Sequence, residues 1–187
     1  MTLSYSWLGK ELALDFANTV IVVRPGEELD ELATEAQLAR WLELERDRLG
    51  PAPGAGARLG DFRRLRDALR RLLGAAADGR ELSAADVAVV NEASAAAPRV
   101  VQLRGVAVVE SRADTAEDAV LGAIAASAVE LLGGTDRELV RVCEAPSCGL
   151  YFLAARERQQ WCTPSCGNRA RVARHYARRA RSADVLQ

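Results

Sequence analysis

The four cysteines of the chain stand two by two near its C-terminal end, as Cys143-x4-Cys148 and Cys162-x3-Cys166. Thiolates in close pairs are the ligand set of a closed tetrahedral zinc site of the structural kind, each pair supplying half of the shell from a tight loop. Four cysteines leave no open position for a substrate, which argues against a catalytic metal, and a redox pair would want the closer Cys-x-x-Cys spacing. Two disulfides of a secreted domain are the alternative. No signal peptide precedes the first residues and a core of ordinary size needs no staples, so this alternative is set aside. The expectation is one structural Zn²⁺ per chain, held by Cys143, Cys148, Cys162 and Cys166.

Two local structures must position those ligands. Glu144-Ala145-Pro146-Ser147 between the first pair, followed by Gly149, reads as a knuckle. At the second pair Thr163 suits a helix cap and Pro164 the first helical position, which places Cys166 in the first turn, where free N–H groups and the helix dipole favour a thiolate. Knuckle, hairpin spacer and ligand-bearing helix together make a treble-clef-like zinc finger with four cysteine ligands. The helix predicted from Pro164 to about Arg181 carries Val172, Ala173, Tyr176, Ala177 and Ala180 on one face, and Arg171, Arg174, Arg178 and Arg181 as a narrow stripe beside it. That stripe could follow a nucleic-acid backbone, or could simply complement the dipole at a helix C-terminus. Arg169 is expected to bond loop carbonyls near the metal. His175, the one histidine, falls on the polar face away from the cysteines.

Charge divides the chain in two. Residues 1–136 hold fifteen basic and twenty-two acidic side chains, and residues 137–187 hold ten basic and four acidic, within a total of −1. A basic tail on an acidic body suggests a polyanion partner for the tail. Lys10 is the only lysine, so the arginine bias pervades the chain and says little about phosphate by itself. No apolar run reaches the ~20 residues of a membrane span, and a cytoplasmic location is expected.

The body reads as helix-rich. Leu12, Phe16 and Val20 recur at helical spacing, with Asp15, Asn18 and Thr19 as a polar patch beside them, so one amphipathic helix is predicted over this stretch. Asp15 and Asn18 could tie down a neighbouring loop or could form the wall of a ligand pocket. Arg24-Pro25-Gly26 breaks the chain after Val20–Val23, and acidic residues lead to a helix over 34–49, with Leu38, Trp41, Leu42 and Leu44 or Leu49 inward and Glu43, Glu45, Arg46, Asp47 and Arg48 in solvent. Residues 50–56 form a Gly/Pro/Ala loop. A helix over 58–77 carries Arg63, Arg64, Arg66, Arg70 and Arg71, expected as a solvated face, and Ser83 caps the next, which ends at Pro98. A small hairpin turns at Arg104-Gly105, the apolar helix 119–132 is the central body element, and 139–142 runs extended into Cys143. The fold class is α+β, with a helix-rich domain over 1–136 and the zinc module over 137–187.

Cys166-Gly167-Asn168-Arg169 behind the other three cysteines, together with the Leu12–Val20 stretch, resembles the CGNR zinc-finger proteins that carry an N-terminal ABATE-type domain. The resemblance covers nearly the whole chain. It implies a bacterial, cytoplasmic, stress-related transcription regulator with a DNA-binding finger and a ligand-sensing body. Ala154-Ala155 and Gln159-Gln160 depart from the finger's pattern, where acidic residues and arginines respectively are common, and the glutamines thin the positive charge beside the metal.

Three function classes follow. The first is a regulator whose arginine stripe binds DNA while the body senses a small-molecule effector. The second is a zinc-stabilised protein-interaction module without direct nucleic-acid contact. Burial of the arginines against the acidic body would favour the second, and exposure the first. The third, an enzyme, lacks support: there is no nucleophile–histidine arrangement, no phosphate loop and no second metal cluster, and no catalytic residue is assigned.

Overall fold

Leu12–Ala17 forms α1, and all six of its residues are buried. It is short because Thr19 to Val23 is an unbroken β-branched run that fits a strand better than a helix. The predicted helix therefore stops at Ala17. Asn18 and Thr19 make a turn, the Thr19 hydroxyl donating to Phe16 O at 2.7 Å, and the chain enters β1 (Val20–Arg24). This strand pairs antiparallel with β2 (Glu27–Asp30), from Val20 opposite Asp30 to Arg24 opposite Glu27. The acidic residues expected to lead towards a helix are thus the second strand of a hairpin. The computed structural model describes residues 9–24, 26–50, 58–98, 100–111 and 115–184, so the loop expected over 50–56 lies outside them except for Gly50.

The helix predicted over 34–49 is two pieces, α2 (Glu35–Leu44) and α3 (Arg46–Leu49), with a break at Glu45. Thr34 caps α2 by accepting from Gln37 N. The break settles the inward residue: Leu49 is buried and Leu44 exposed. The longest body helix, α4 (Leu59–Ala77), buries Phe62, Leu65, Leu69, Leu72 and Leu73. Phe16 meets Trp41 at 5.1 Å and Phe62 at 6.4 Å between ring centroids, which centres the core on α1. α5 (Ala84–Ala96), capped by Ser83, packs on α4 and on α6 (Ala116–Gly133), which Thr115 caps. A Cβ on Gly122 of α6 would collide with Ala97, so the glycine permits that close approach.

The arginines of α4 are not one solvated face. Arg64 and Arg71 are exposed, but Arg66 is buried and pairs with Asp30. Arg63 donates to Leu32 O and Ala33 O, and Arg70 to Ala17 O and Val20 O. These guanidiniums supply donors to carbonyls at the α1–β1 and β2–α2 connections, where the backbone ladder is interrupted.

The second hairpin, β3 (Val100–Arg104) and β4 (Ala107–Ser111), pairs Arg104 with Ala107, so its two-residue loop is Gly105-Val106, one position later than expected. Gly105, at φ +65°, takes the first loop position, which needs the positive angle. After α6, a 3₁₀ turn over Thr135–Leu139 leads into β5 (Val140–Val142), antiparallel to β6 (Tyr151–Leu153). Alternation along β6 joins two cores: Tyr151 and Leu153 pack on the body, where Val140 is also buried, and Phe152 faces the cysteines. The last helix, α7, spans Pro164–Asp184. Among the described residues no helix is long and apolar enough to cross a membrane.

Candidate metal centre and the cavity beside it

The first half of the centre is the knuckle between β5 and β6. Cys143 N donates to Leu150 O at 2.9 Å and Gly149 N to Cys143 O at 3.3 Å, which folds Cys148 back beside Cys143. Gly149 has φ +67°, and a Cβ there would lie 2.8 Å from Val22 Cγ2, so the knuckle is seated on β1. The second half is the start of α7. Thr163 Oγ1 accepts from Cys166 N at 3.2 Å, the cap expected for this helix.

The four sulfurs lie within 4.8 Å of one another, and all four cysteines are free. Cys148, Cys162 and Cys166 form a triangle of 3.7, 3.6 and 3.7 Å edges. A tetrahedron of sulfurs with metal–sulfur bonds of about 2.3 Å has edges of about 3.8 Å, so the donor set fits an ion of zinc's size and geometry. Crowding supplies a second indication. Bonds from Cys148 and Cys162 hold Cys143 far below the ordinary thiol range, whereas Cys143 beside them pushes Cys148 up to about 12 and Cys162 upward as well. One thiolate is supported by its neighbours' protons, and all four can ionise together only around a cation. Cys162 N–H and Arg169 Nη2 donate to Cys143 Sγ at 3.4 Å and Cys166 Sγ at 3.2 Å, which relieves part of the thiolate charge. Arg169 thus bonds the Cys166 sulfur, not the loop carbonyls expected for it.

The arginine stripe is outward. Arg171, Arg174 and Arg178 are exposed on α7, and His175 is exposed with its ring edge-on to Tyr176. Arg174 has a second task, with its guanidinium 5.5 Å from the Trp161 ring centre, where it holds α7 to the loop before it. The side chain of Arg181 lies outside the described residues. Val172 and Tyr176 are also exposed, whereas Ala170 is buried in the finger's small core.

Asp15 and Asn18 stand at the junction of body and finger. Asn18 pairs with the backbone of β6 as a strand would, donating from Nδ2 to Tyr151 O at 3.0 Å and accepting from Tyr151 N at 2.8 Å. Tyr151 is fixed at its other end too, its hydroxyl donating to Arg70 O at 2.9 Å. Asp15 is fully buried. Its Oδ2 accepts from Gly9 N, Lys10 N and Arg48 Nη1, the last at 2.6 Å, while Oδ1 has no donor among the described residues. Arg48, expected in solvent, is shared with a second buried carboxylate, Glu45, at 2.9 Å. Burial raises the pKa of Asp15 against the opposing guanidinium, and burial followed by the nearby Asp15 charge raises that of Glu45. Both residues of the predicted pair line a cavity of about 680 Å³, bounded on one side by Leu14 and Ile21 and on the other by Leu150, Phe152, Cys148, Cys162 and Cys166.

Glu45, Arg48 and Arg70 read as solvated from the sequence alone, and Tyr151 carries no local signal of its role. Arg48, Arg70 and Tyr151 each act through a partner more than thirty residues away, and only Glu45, one helical turn before Arg48, left a local trace.

Asn18→Ala removes two bonds to Tyr151 and leaves both its backbone groups without their partner. The expected cost is about 1–3 kcal/mol, with faster hydrogen exchange at the Tyr151 amide and an intact body. Unchanged exchange there would show that Asn18 does not clamp the finger.

Residues 10–135 match the ABATE family, described as "putative stress-induced transcription regulator", and residues 140–179 match the CGNR zinc finger. No match was found among curated proteins.

Proposed function

The chain belongs to the ABATE family and carries a CGNR zinc finger, and from that premise we propose a DNA-binding transcription regulator whose body senses a small effector. In this reading Zn²⁺ is structural. Cys143, Cys148, Cys162 and Cys166 hold it, and it fixes the start of α7 against the knuckle. The observation that carries the reading is the outward placement of Arg171, Arg174 and Arg178, which the acidic body does not cover. Their spacing suits a row of phosphates and positions the finger without reading bases. The cavity at the body–finger junction, and the Asn18–Tyr151 clamp beside it, support effector sensing that acts on the finger.

The test is the salt dependence of duplex DNA binding by the zinc-loaded chain. Each phosphate contact contributes a slope of about −0.9 in log affinity against log salt, so four arginines give roughly −3.6. Arg171→Ala with Arg178→Ala is expected to flatten the slope by about 2 and to weaken all sequences alike. Arg174 is left in place because its contact with Trp161 also supports the finger. An unchanged slope would favour protein docking through the exposed Val172 and Tyr176 on the same helix.

A further inference from the structure

We propose that the cavity between α1 and the finger binds a small organic cation, an apolar body bearing a protonated nitrogen, with Asp15 as its counter-ion. The inference rests on the effector-sensing reading above and names the class of effector. A volume of about 680 Å³ at the junction of two units is that of a small-molecule site, and Leu14, Ile21, Leu150, Phe152 and Leu153 make its walls largely apolar. Charge decides the class. Asp15 and Glu45 are both buried, and among the described residues Arg48 is the cation that pairs with both. Among the described residues one cation for two carboxylates leaves a negative charge uncompensated, and Asp15, which lines the cavity, has in Oδ1 an oxygen with no donor among them. A protonated nitrogen brings the donor and the charge together.

The finger side of the cavity agrees in sign. Four thiolates around a divalent ion carry two negative charges, and Arg169 on Cys166 offsets one of them. Lys10 and Glu11 at the rim cancel. An organic anion would therefore meet like charge at both ends, and a neutral molecule would leave Asp15 Oδ1 as it is. Such a ligand touches α1 and β6 on either side of the Asn18–Tyr151 clamp, so binding favours the docked finger.

The experiment compares three molecules of one shape, naphthylmethylamine, naphthylmethanol and naphthoate, by equilibrium dialysis against the zinc-loaded full chain at neutral pH with no DNA present. The amine is expected to bind about tenfold or more tighter than the alcohol, the worth of a buried hydrogen bond to a charged group, and naphthoate weakest. Asp15→Asn should bring amine and alcohol together. Ile21→Trp, at a half-buried strand position, should weaken all three by filling the cavity, and it keeps the test open if the Asp15 variant does not fold. With bound amine, exchange at the Tyr151 amide should slow. Binding of none of the three, equal binding of all, preference for naphthoate, or an amine preference that survives Asp15→Asn each overturns the proposal. Because no DNA is used, these outcomes are separate from a failure of the salt-slope experiment.

Discussion

Removing the metal from the full chain with a chelator is expected to melt the finger and α7 while the body keeps its helices. The finger's own core consists of Cys143, Ala145, Cys148, Leu150, Phe152, Ala154, Cys166 and Ala170, so three of its eight buried residues are cysteines of the candidate metal centre and three more are alanines. So little apolar area cannot hold a fold of two three-residue strands and one helix. Binding energy at such sites, about 10–16 kcal/mol at neutral pH, is folding energy. The body, by contrast, has a continuous core around Phe16, Trp41 and Phe62 that contains none of the cysteines. Hydrogen exchange read by segment is the measurement: amides of residues 166–178 should lose protection on chelation, and those of α4 and α6 should retain it. Cys162→Ser should reproduce the effect without a chelator. Protection of α7 that survives metal removal would show that the helix is held by something other than the metal site.

The parts of this fold legible in sequence are those encoded by neighbours. Cysteine spacing, the Thr163 cap and the apolar helix over 119–132 each depend on residues within a few positions, and the structure has them where expected. A local pattern misleads where it has two readings and a distant partner decides between them. Val20 fits both the helical period of Leu12 and Phe16 and the β-branched run that follows, and the strand prevails because β2 supplies a partner for that run. The arginines of α4 look solvated from their alternation with Asp61 and Asp67, yet Arg63, Arg66 and Arg70 reach carbonyls or carboxylates of the hairpin region more than thirty positions away. Nothing within a helical turn of Arg66 or Arg70 announces those partners. Asp15 and Asn18 were visible as an unusual polar pair beside an apolar stripe, but their partners Arg48 and Tyr151 come from another helix and from the finger.

Arg48→Met is expected to destabilise the body by about 3–5 kcal/mol at about pH 7, because it leaves two buried carboxylates without their shared cation. Methionine keeps the length and the apolar stem, so lost packing is a small part of the effect. The pH dependence identifies the cause. Asp15 and Glu45 have folded pKa values above their ordinary 3.8 and 4.5. A carboxylate raised in this way binds more protons in the folded state than in the unfolded state. Its contribution to stability is therefore greatest below the unfolded pKa and is lost as pH rises through the folded pKa. Without the guanidinium both folded values rise further, so the loss in the variant grows over a wider range of pH than in the parent. Urea unfolding of the two proteins in parallel should give a difference that is small at about pH 4 and full at about pH 7. The parallel design cancels Asp30, Asp86 and Asp118, whose lowered pKa values make them act in the opposite direction in both proteins. Arg48→Lys retains one charge but cannot present two nitrogens to Asp15, Glu45 and the Lys10 carbonyl together, so its loss should fall between parent and methionine variant. A difference that stays constant from about pH 4 to pH 7 would mean that Arg48 acts by packing alone, and that the two carboxylates are neutral at the body–finger junction throughout that range.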